Sequence, residues 1–322
     1  MKLELYPLLF EPIFKDRIWG GTQLKSLLNK NIPNHTTGES WELSSVEGDV
    51  SIVKNGVLKG KSLTDLLETY PSEILGTKVY EQFGNQFPLL FKFLDAREDL
   101  SIQLHPNDEL AKKRHNSFGK TEMWYVMQAD PGAKLIVGFQ KKSSPKEYLK
   151  HLENKTVVSL LDEIPVQKGD IFFLETGTIH AIGAGTVIAE IQQTSDITYR
   201  IYDFDRKDAN GNTRELHNDL ALEAINYQTV SAKKEYSKEV NTSNVAVDCP
   251  YFTTSVLPLH GEVDKKNNGD SFRVYMCTEG AFSIVSQQAT FSFKKGDTVL
   301  LPAVISDYQL VGLATLLEIS IS

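Results

Sequence analysis

Lys168-Gly169-Asp170-Ile171-Phe172-Phe173-Leu174-Glu175-Thr176-Gly177-Thr178-Ile179-His180 is the stretch on which the reading of the fold turns. A Lys-Gly-Asp turn launches a short apolar strand, a second bend follows at Gly177, and a histidine stands just past it. The pattern returns once, as Lys295-Gly296-Asp297-Thr298-Val299-Leu300-Leu301-Pro302. In that copy Val304 and Asp307 occupy the places of Gly177 and His180. One unit with the histidine and one without it predict two tandem barrels, of which the first carries the chemistry. The polar stretch 233–244 is the expected boundary, giving a catalytic domain over 1–240 and a second domain over 241–322.

Strand signals dominate the rest of the chain. The runs 134–139, 170–175, 186–193, 252–259, 272–278, 281–286, 289–293 and 297–302 are short and rich in β-branched or aromatic residues. Helical patterns are fewer: 62–70 behind a serine cap, 107–114 after Pro106, 145–152 opening on Pro145, and 216–224. Many short strands with a few inserted helices predict a mostly β protein and exclude βαβ units.

At 322 residues the chain can bury a large core without disulfides. Its formal net charge of -8 argues against nucleic acid or an acidic membrane surface as the main partner. Cys249 and Cys277 form no CxxC pair, so a thiolate metal site is not expected. The apolar run 5–10 is short and broken by Pro7, unlike a signal peptide, and 87–94 is interrupted by Lys92. A cytoplasmic protein is the expectation.

Four residues form the candidate metal site. In Ser101-Ile102-Gln103-Leu104-His105-Pro106, strand alternation puts Gln103 and His105 on one face. Glu122 opens the strand 122–127, on the side of Trp124 and Val126, where an unpaired buried carboxylate would cost several kcal/mol. A metal ion supplies the missing partner; so would Lys120 or an arginine. His180 completes a set of two imidazoles, a carboxylate and an amide, which suits a borderline divalent ion such as zinc. The five other histidines have no partners at ligand spacing and are read as surface residues.

A second polar cluster runs over 190–206. Glu190 and Gln192 share one strand face, a Thr-Ser-Asp turn follows, and Arg200 and Tyr202 alternate with Tyr199 and Ile201. A guanidinium beside a metal site can stabilise developing negative charge or grip a phosphate.

The spacing Gly169-x5-Glu175-x-Gly177-x-x-His180 resembles that of the cupin family of small metal-binding β-barrels. Six segments are, in addition, similar to those of the type I mannose-6-phosphate isomerases of the short bacterial class: 17–21, 38–44, 101–108, 119–126, 177–183 and 192–206. The resemblance implies tandem cupin, jelly-roll-like barrels with one zinc ion in the first, held by Gln103, His105, Glu122 and His180. It implies interconversion of mannose 6-phosphate and fructose 6-phosphate through a cis-enediol(ate). Glu190 is the implied general acid/base and Arg200 the stabiliser of the anionic intermediate. Lys120 and Arg206 are the cations expected to reach the phosphate, and Trp19, Trp41 and Glu42 are expected to shape the pocket. Glu175 stands where cupins usually carry a proline, a place Pro302 keeps in the second copy. A sugar-phosphate-binding regulatory cupin without turnover is the main alternative, and an iron-dependent dioxygenase a further one. The expected partner is a small sugar phosphate, and the expected state a monomer or weak oligomer.

Overall fold

The computed structural model describes residues 4–207, 210–286 and 289–321. Its first half is built from two facing sheets. The seven-stranded sheet runs in the order Lys233–Lys234, Ile171–Leu174, Glu122–Ala129, Thr186–Gln193, Leu89–Ala96, Thr37–Leu43, Ile13–Gly21. The five-stranded sheet runs Leu161–Pro165, Lys134–Phe139, His180–Ile182, Ile102–Leu104, Tyr199–Tyr202. Leu94, Trp124, Val126 and Ile188 from the first pack with Leu135, Val137 and Ile182 from the second, so the two sheets enclose one interior. This is the mostly β architecture that the short strand signals predict.

Strand alternation gives the larger sheet two buried faces. Phe91, Phe93, Met123, Tyr125, Met127, Ala189 and Ile191 point outward, into a core shared with Val256, Phe272, Val274, Met276, Leu317 and Ile319 of the C-terminal half. The intervening residues point inward, toward the five-stranded sheet. All eight residues of Leu89–Ala96 are therefore buried, which is why that segment reads as one apolar run. The helices Leu63–Thr69, Pro71–Leu75 and Thr77–Phe83 add Leu63, Leu66, Leu67, Ile74, Leu75 and Val79 to the same core.

Sequence-predicted helix starts coincide with real caps. Ser62 and Asp65 form a reciprocal capping box, Asn107 accepts from Leu110 N–H, and Ser144 accepts from Glu147 N–H ahead of Pro145–Glu153. Helix Asn218–Ala224 lies within the segment expected. Helices Gln23–Ser26, Pro71–Leu75 and Thr77–Phe83 were not anticipated; they are short and carry no side-chain cap.

The C-terminal half is a third sheet, ordered Leu8–Leu9, Thr298–Leu301, Arg273–Val285, Asp307–Ser320, Thr253–Lys266, Asn244–Asp248, with Thr290–Lys294 paired to Arg273–Val285. It wraps around its own interior of Leu257, Tyr275, Phe282, Phe293, Leu310 and Leu316. The repeated Lys-Gly-Asp turns match bond for bond. Gly169 N–H donates to the Val126 carbonyl at 2.8 Å, and Gly296 N–H to the Cys277 carbonyl at 2.8 Å. Asp170 Oδ2 accepts from Gln167 N–H at 3.1 Å, and Asp297 Oδ2 from Lys294 N–H at 2.9 Å. Carrying this match along the paired strands sets Arg273 in the place of Glu122, Tyr275 in that of Trp124, and Glu318 in that of Glu190. The second barrel thus keeps a buried carboxylate on the same rung, but closes over it. Glu318 is gripped by Tyr275 at 2.9 Å and Lys265 at 2.9 Å, with Tyr308 at 2.6 Å from the Tyr275 hydroxyl.

Both turn glycines have left-handed backbones, φ +92 at Gly169 and +89 at Gly296. A methyl group at Gly169 meets only the Tyr236 hydroxyl at 3.6 Å, whereas at Gly296 it falls 2.7 Å from the Leu28 carbonyl oxygen. Alanine at Gly169 is expected to cost about 1 kcal/mol through backbone strain, and at Gly296 about 2–3 kcal/mol because the backbone must also move. Urea unfolding of the two variants checks the order; equal losses would contradict it.

Candidate metal centre and substrate cavity

Two facing rungs create the site. Across the larger sheet, Trp41, Lys92, Glu190 and Trp124 are successive cross-strand neighbours. Across the smaller sheet, Val137, His180, Gln103 and Arg200 form the matching row. All of these except Val137 line a cavity of about 640 Å³, together with Arg17, Trp19, Glu39, Lys120 and Arg214 among others.

At the cavity floor His105, Glu122 and His180 converge, each buried, with ligand atoms within 4.8 Å of one another. His105 Nε2 lies 3.5 Å from Glu122 Oε2, and His180 Nε2 lies 3.4 Å from Glu122 Oε1. Backbone carbonyls fix both imidazoles: His105 Nδ1 donates to Ile197 O at 2.8 Å and His180 Nδ1 to Thr178 O at 2.9 Å. This assigns the proton to Nδ1 in each ring and turns the Nε2 lone pair inward, as ligation requires. Burial, then the Lys120 ammonium, pushes His105 down to about 3, and burial lowers His180 as well, so both rings are neutral. For Glu122, burial is the largest single influence and works the other way, but Lys120 together with His105 and His180 holds the carboxyl well below its usual range.

The donor set passes a direct test for a cation. His180 Nε2 and Glu122 Oε1 are buried acceptors with no hydrogen-bond partner. Two orphaned lone pairs aimed at one point are costly unless a cation takes them. Lys120 serves the other two acceptors and leaves these unmet, with Nζ 2.7 Å from Glu122 Oε2 and 3.0 Å from His105 Nε2. One rung along, Lys92 Nζ binds Glu190 at 3.0 Å and lies 4.0 Å from Glu39, while Trp124 Nε1 donates to Glu190 Oε2 at 2.9 Å.

Comparison with known proteins places this geometry in a family. Residues 8–131 match the family described as phosphomannose isomerase type I, catalytic domain, and residues 242–321 match mannose-6-phosphate isomerase, cupin domain. Mannose-6-phosphate isomerase ManA of Bacillus subtilis is 38% identical over 313 residues, 96% of each chain. The chain belongs to the type I phosphomannose isomerase family. Another member, the mannose-6-phosphate isomerase of Streptococcus mutans, is 37% identical over 95% of both chains. The crystal structure of the B. subtilis mannose 6-phosphate isomerase superposes with a TM-score of 0.89 at 34% identity, covering 98% of this chain and 99% of that one.

Within this family member, the sequence-expected residues do not all converge. His105, Glu122, His180, Gln103, Lys120, Glu190, Arg200 and Trp19 meet at the cavity or its floor. Gln103 lies beside His180 on the rung and accepts from the Ser101 hydroxyl at 3.4 Å. Glu42 does not line the cavity. It sits on the opposite face of its strand, paired with Lys30 at 2.6 Å, and Glu39 takes the inward place instead. Arg206 is also elsewhere: Asp203 holds its guanidinium at 2.5 Å, the Asp99 carbonyl accepts from it, and it stacks over Phe204. Arg214, bound to the same Asp203, reaches the cavity. Lys92, Glu39, Arg17 and Arg214 were missed. Lys92 alone left a signal, as the one cation inside a strand that is apolar apart from it and Asp95.

Two outcomes follow from these contacts. Glu122→Gln weakens metal retention by at least about 100-fold, read by metal analysis after dialysis, because losing a ligand exceeds the 10–100-fold effect of outer partners. Lys92→Met, which takes the paired cation from buried Glu190 while Glu39 keeps Arg17 at 2.6 Å, costs about 3–5 kcal/mol in chemical denaturation.

Proposed function

We propose that this chain interconverts mannose 6-phosphate and fructose 6-phosphate with one zinc ion bound by His105, Glu122, His180 and Gln103. The observation that carries the reading is the pair of facing rungs, which set the Glu190 carboxylate and the Arg200 guanidinium across one cavity above the histidine–carboxylate cluster. A divalent ion bound there supplies Lewis acidity to the sugar oxygens at C1 and C2.

The protein's own groups account for the proton and the charge. Glu190 takes the proton from C2 of the open-chain aldose; the C–H pair becomes the C1–C2 double bond, and negative charge moves to oxygen. Return of the proton to C1 gives the ketose. Lys92 and Trp124 each hold one oxygen of Glu190, fixing the direction in which it works. Arg200, anchored by Ser101 at 3.2 Å and the Glu215 carbonyl at 3.0 Å, offsets the anionic intermediate. Lys120 bridges Glu122 and His105 and is placed to shuttle the hydroxyl proton.

The phosphate end is read from like-charge crowding. Burial, then Arg214, makes the Arg200 guanidinium easier to deprotonate than usual, with Arg17 and Arg206 adding to the effect and Asp203 opposing it; of the three arginines, Arg214 and Arg17 line the cavity and Arg206 does not. Crowded cations at an open cavity mark an anion site. Arg214 and Arg17 are therefore the phosphate ligands of this reading, in place of Arg206.

We further read residues 1–240 as the catalytic unit and 241–322 as the second barrel, acting as a monomer or weak oligomer in the cytoplasm. Among the described residues no helix is long and apolar enough to cross a membrane. The regulatory alternative has nothing in its favour, since Lys120, Glu122, Glu190 and Arg200 are all present and gathered.

A coupled isomerase assay with and without chelator tests the activity, and turnover surviving complete metal removal would exclude the metal role. Arg200→Ala keeps its metal and loses about 100-fold or more in kcat, whereas Arg214→Ala raises KM with kcat little changed. Wild-type kcat in Arg200→Ala would remove its role with the intermediate. Fructose 6-phosphate turned over in deuterated water gives label at C2 of the mannose product if a proton, not a hydride, is transferred.

A further inference from the structure

A chain of hydrogen bonds runs from the C-terminal sheet to the backbone between Lys120 and Glu122. It starts at Tyr251, in the turn between Asn244–Asp248 and Thr253–Lys266. The Tyr251 hydroxyl donates to Asp108 Oδ2 at 2.7 Å. Asp108 opens the helix that follows His105, and its other oxygen accepts from Gly119 N–H at 2.8 Å and from Gln193 Nε2 at 3.1 Å. Gln193 then clamps Thr121 on both sides: its Oε1 accepts from Thr121 N–H at 2.8 Å, and its own N–H donates to the Thr121 carbonyl at 3.1 Å.

Each link acts on the same short segment. Gly119 and Thr121 flank Lys120, and Thr121 is joined directly to Glu122, so one carboxylate fixes the backbone that carries both side chains. The packing is close as well. A methyl group at Gly119 would fall 2.7 Å from Asp108 N and 2.9 Å from the Asn107 carbonyl carbon, so segment 119–121 lies tight against the start of the helix. Lys120 must reach Glu122 and His105 at once, at 2.7 Å and 3.0 Å, and such a constellation tolerates only about 0.5 Å of drift.

We propose that Tyr251 is a positioning residue, through which the second barrel holds Lys120 and Glu122 in place by way of Asp108 and Gln193. This gives the metal-free barrel a part in the chemistry of the other. The kinetic arm of its test rests on the isomerase reading; the structural arm does not.

The test compares Tyr251→Phe with Tyr236→Phe, in the full-length protein. Tyr236 loses a hydroxyl bond of the same kind, 2.8 Å to the Gly169 carbonyl, outside the hydrogen-bond chain through Asp108 and Gln193. Tyr251→Phe is expected to lower kcat about fivefold, the scale of one lost hydrogen bond, with KM within about twofold. Amide hydrogen exchange across 119–122, measured on metal-stripped protein, should rise by a similar factor while that of Leu89–Ala96 stays constant. Tyr236→Phe should change neither. Adding Gln193→Met to Tyr251→Phe should bring less than the sum of the two single effects, because both act on one chain. Unchanged exchange at 119–122 in Tyr251→Phe, or a rise shared equally by Leu89–Ala96, overturns the positioning role. If the wild type fails to turn over mannose 6-phosphate, the isomerase reading falls, and the exchange comparison still decides the positioning.

Discussion

Glu122 is a carboxylate with almost no exposed surface, and the first barrel is organised around the need to compensate it. Its charge holds Lys120 at one oxygen, while two imidazole lone pairs that the same charge repels lie within 3.5 Å of the carboxylate. Those imidazoles face inward because Ile197 and Thr178 carbonyls hold their other nitrogens. The arrangement has surplus acceptors and too few donors, which distinguishes a ligand set from an ordinary buried ion pair.

The same strands carry packing on one face and chemistry on the other. Phe91 and Phe93 anchor the strand of Lys92 in the largest core, Met123 and Tyr125 anchor that of Trp124, and Ala189 and Ile191 anchor that of Glu190. Reactive groups mounted this way cannot drift without moving a sheet buried on both sides. This is the stiffness that the proposed proton transfer over a fixed distance needs. The second barrel holds Glu318 in the equivalent place and fills the space above it with tyrosines, so the same scaffold yields a sealed interior where the first has a cavity.

Much of this was legible in the residues. His105, Glu122 and His180 stood out because imidazoles and a carboxylate on inward strand positions need a shared partner, and the Lys-Gly-Asp repeat foretold two turns with the same bonds. What failed was the phase and the path of particular segments. In 38–44, Glu39 and Glu42 are three apart and so lie on opposite faces, but nothing local says which face is inward. Arg206 and Arg214 both bind Asp203, and which of them reaches the cavity depends on how the chain folds back between them. Lys92 looked like an interruption in an apolar run until cross-strand pairing set it beside Glu190. Neighbours across a sheet are a property of strand order, and strand order is not written in any one strand.

Leu8–Leu9 pairs with Thr298–Leu301, at the edge of the C-terminal sheet. Two segments far apart in sequence therefore satisfy each other's backbone. A fragment cut out to begin after residue 241 would bear an open edge, with the amides and carbonyls of Thr298–Leu301 ready to capture a strand from another molecule. The pairing acts as a clasp, and with a core shared between them the halves become separable units only on paper.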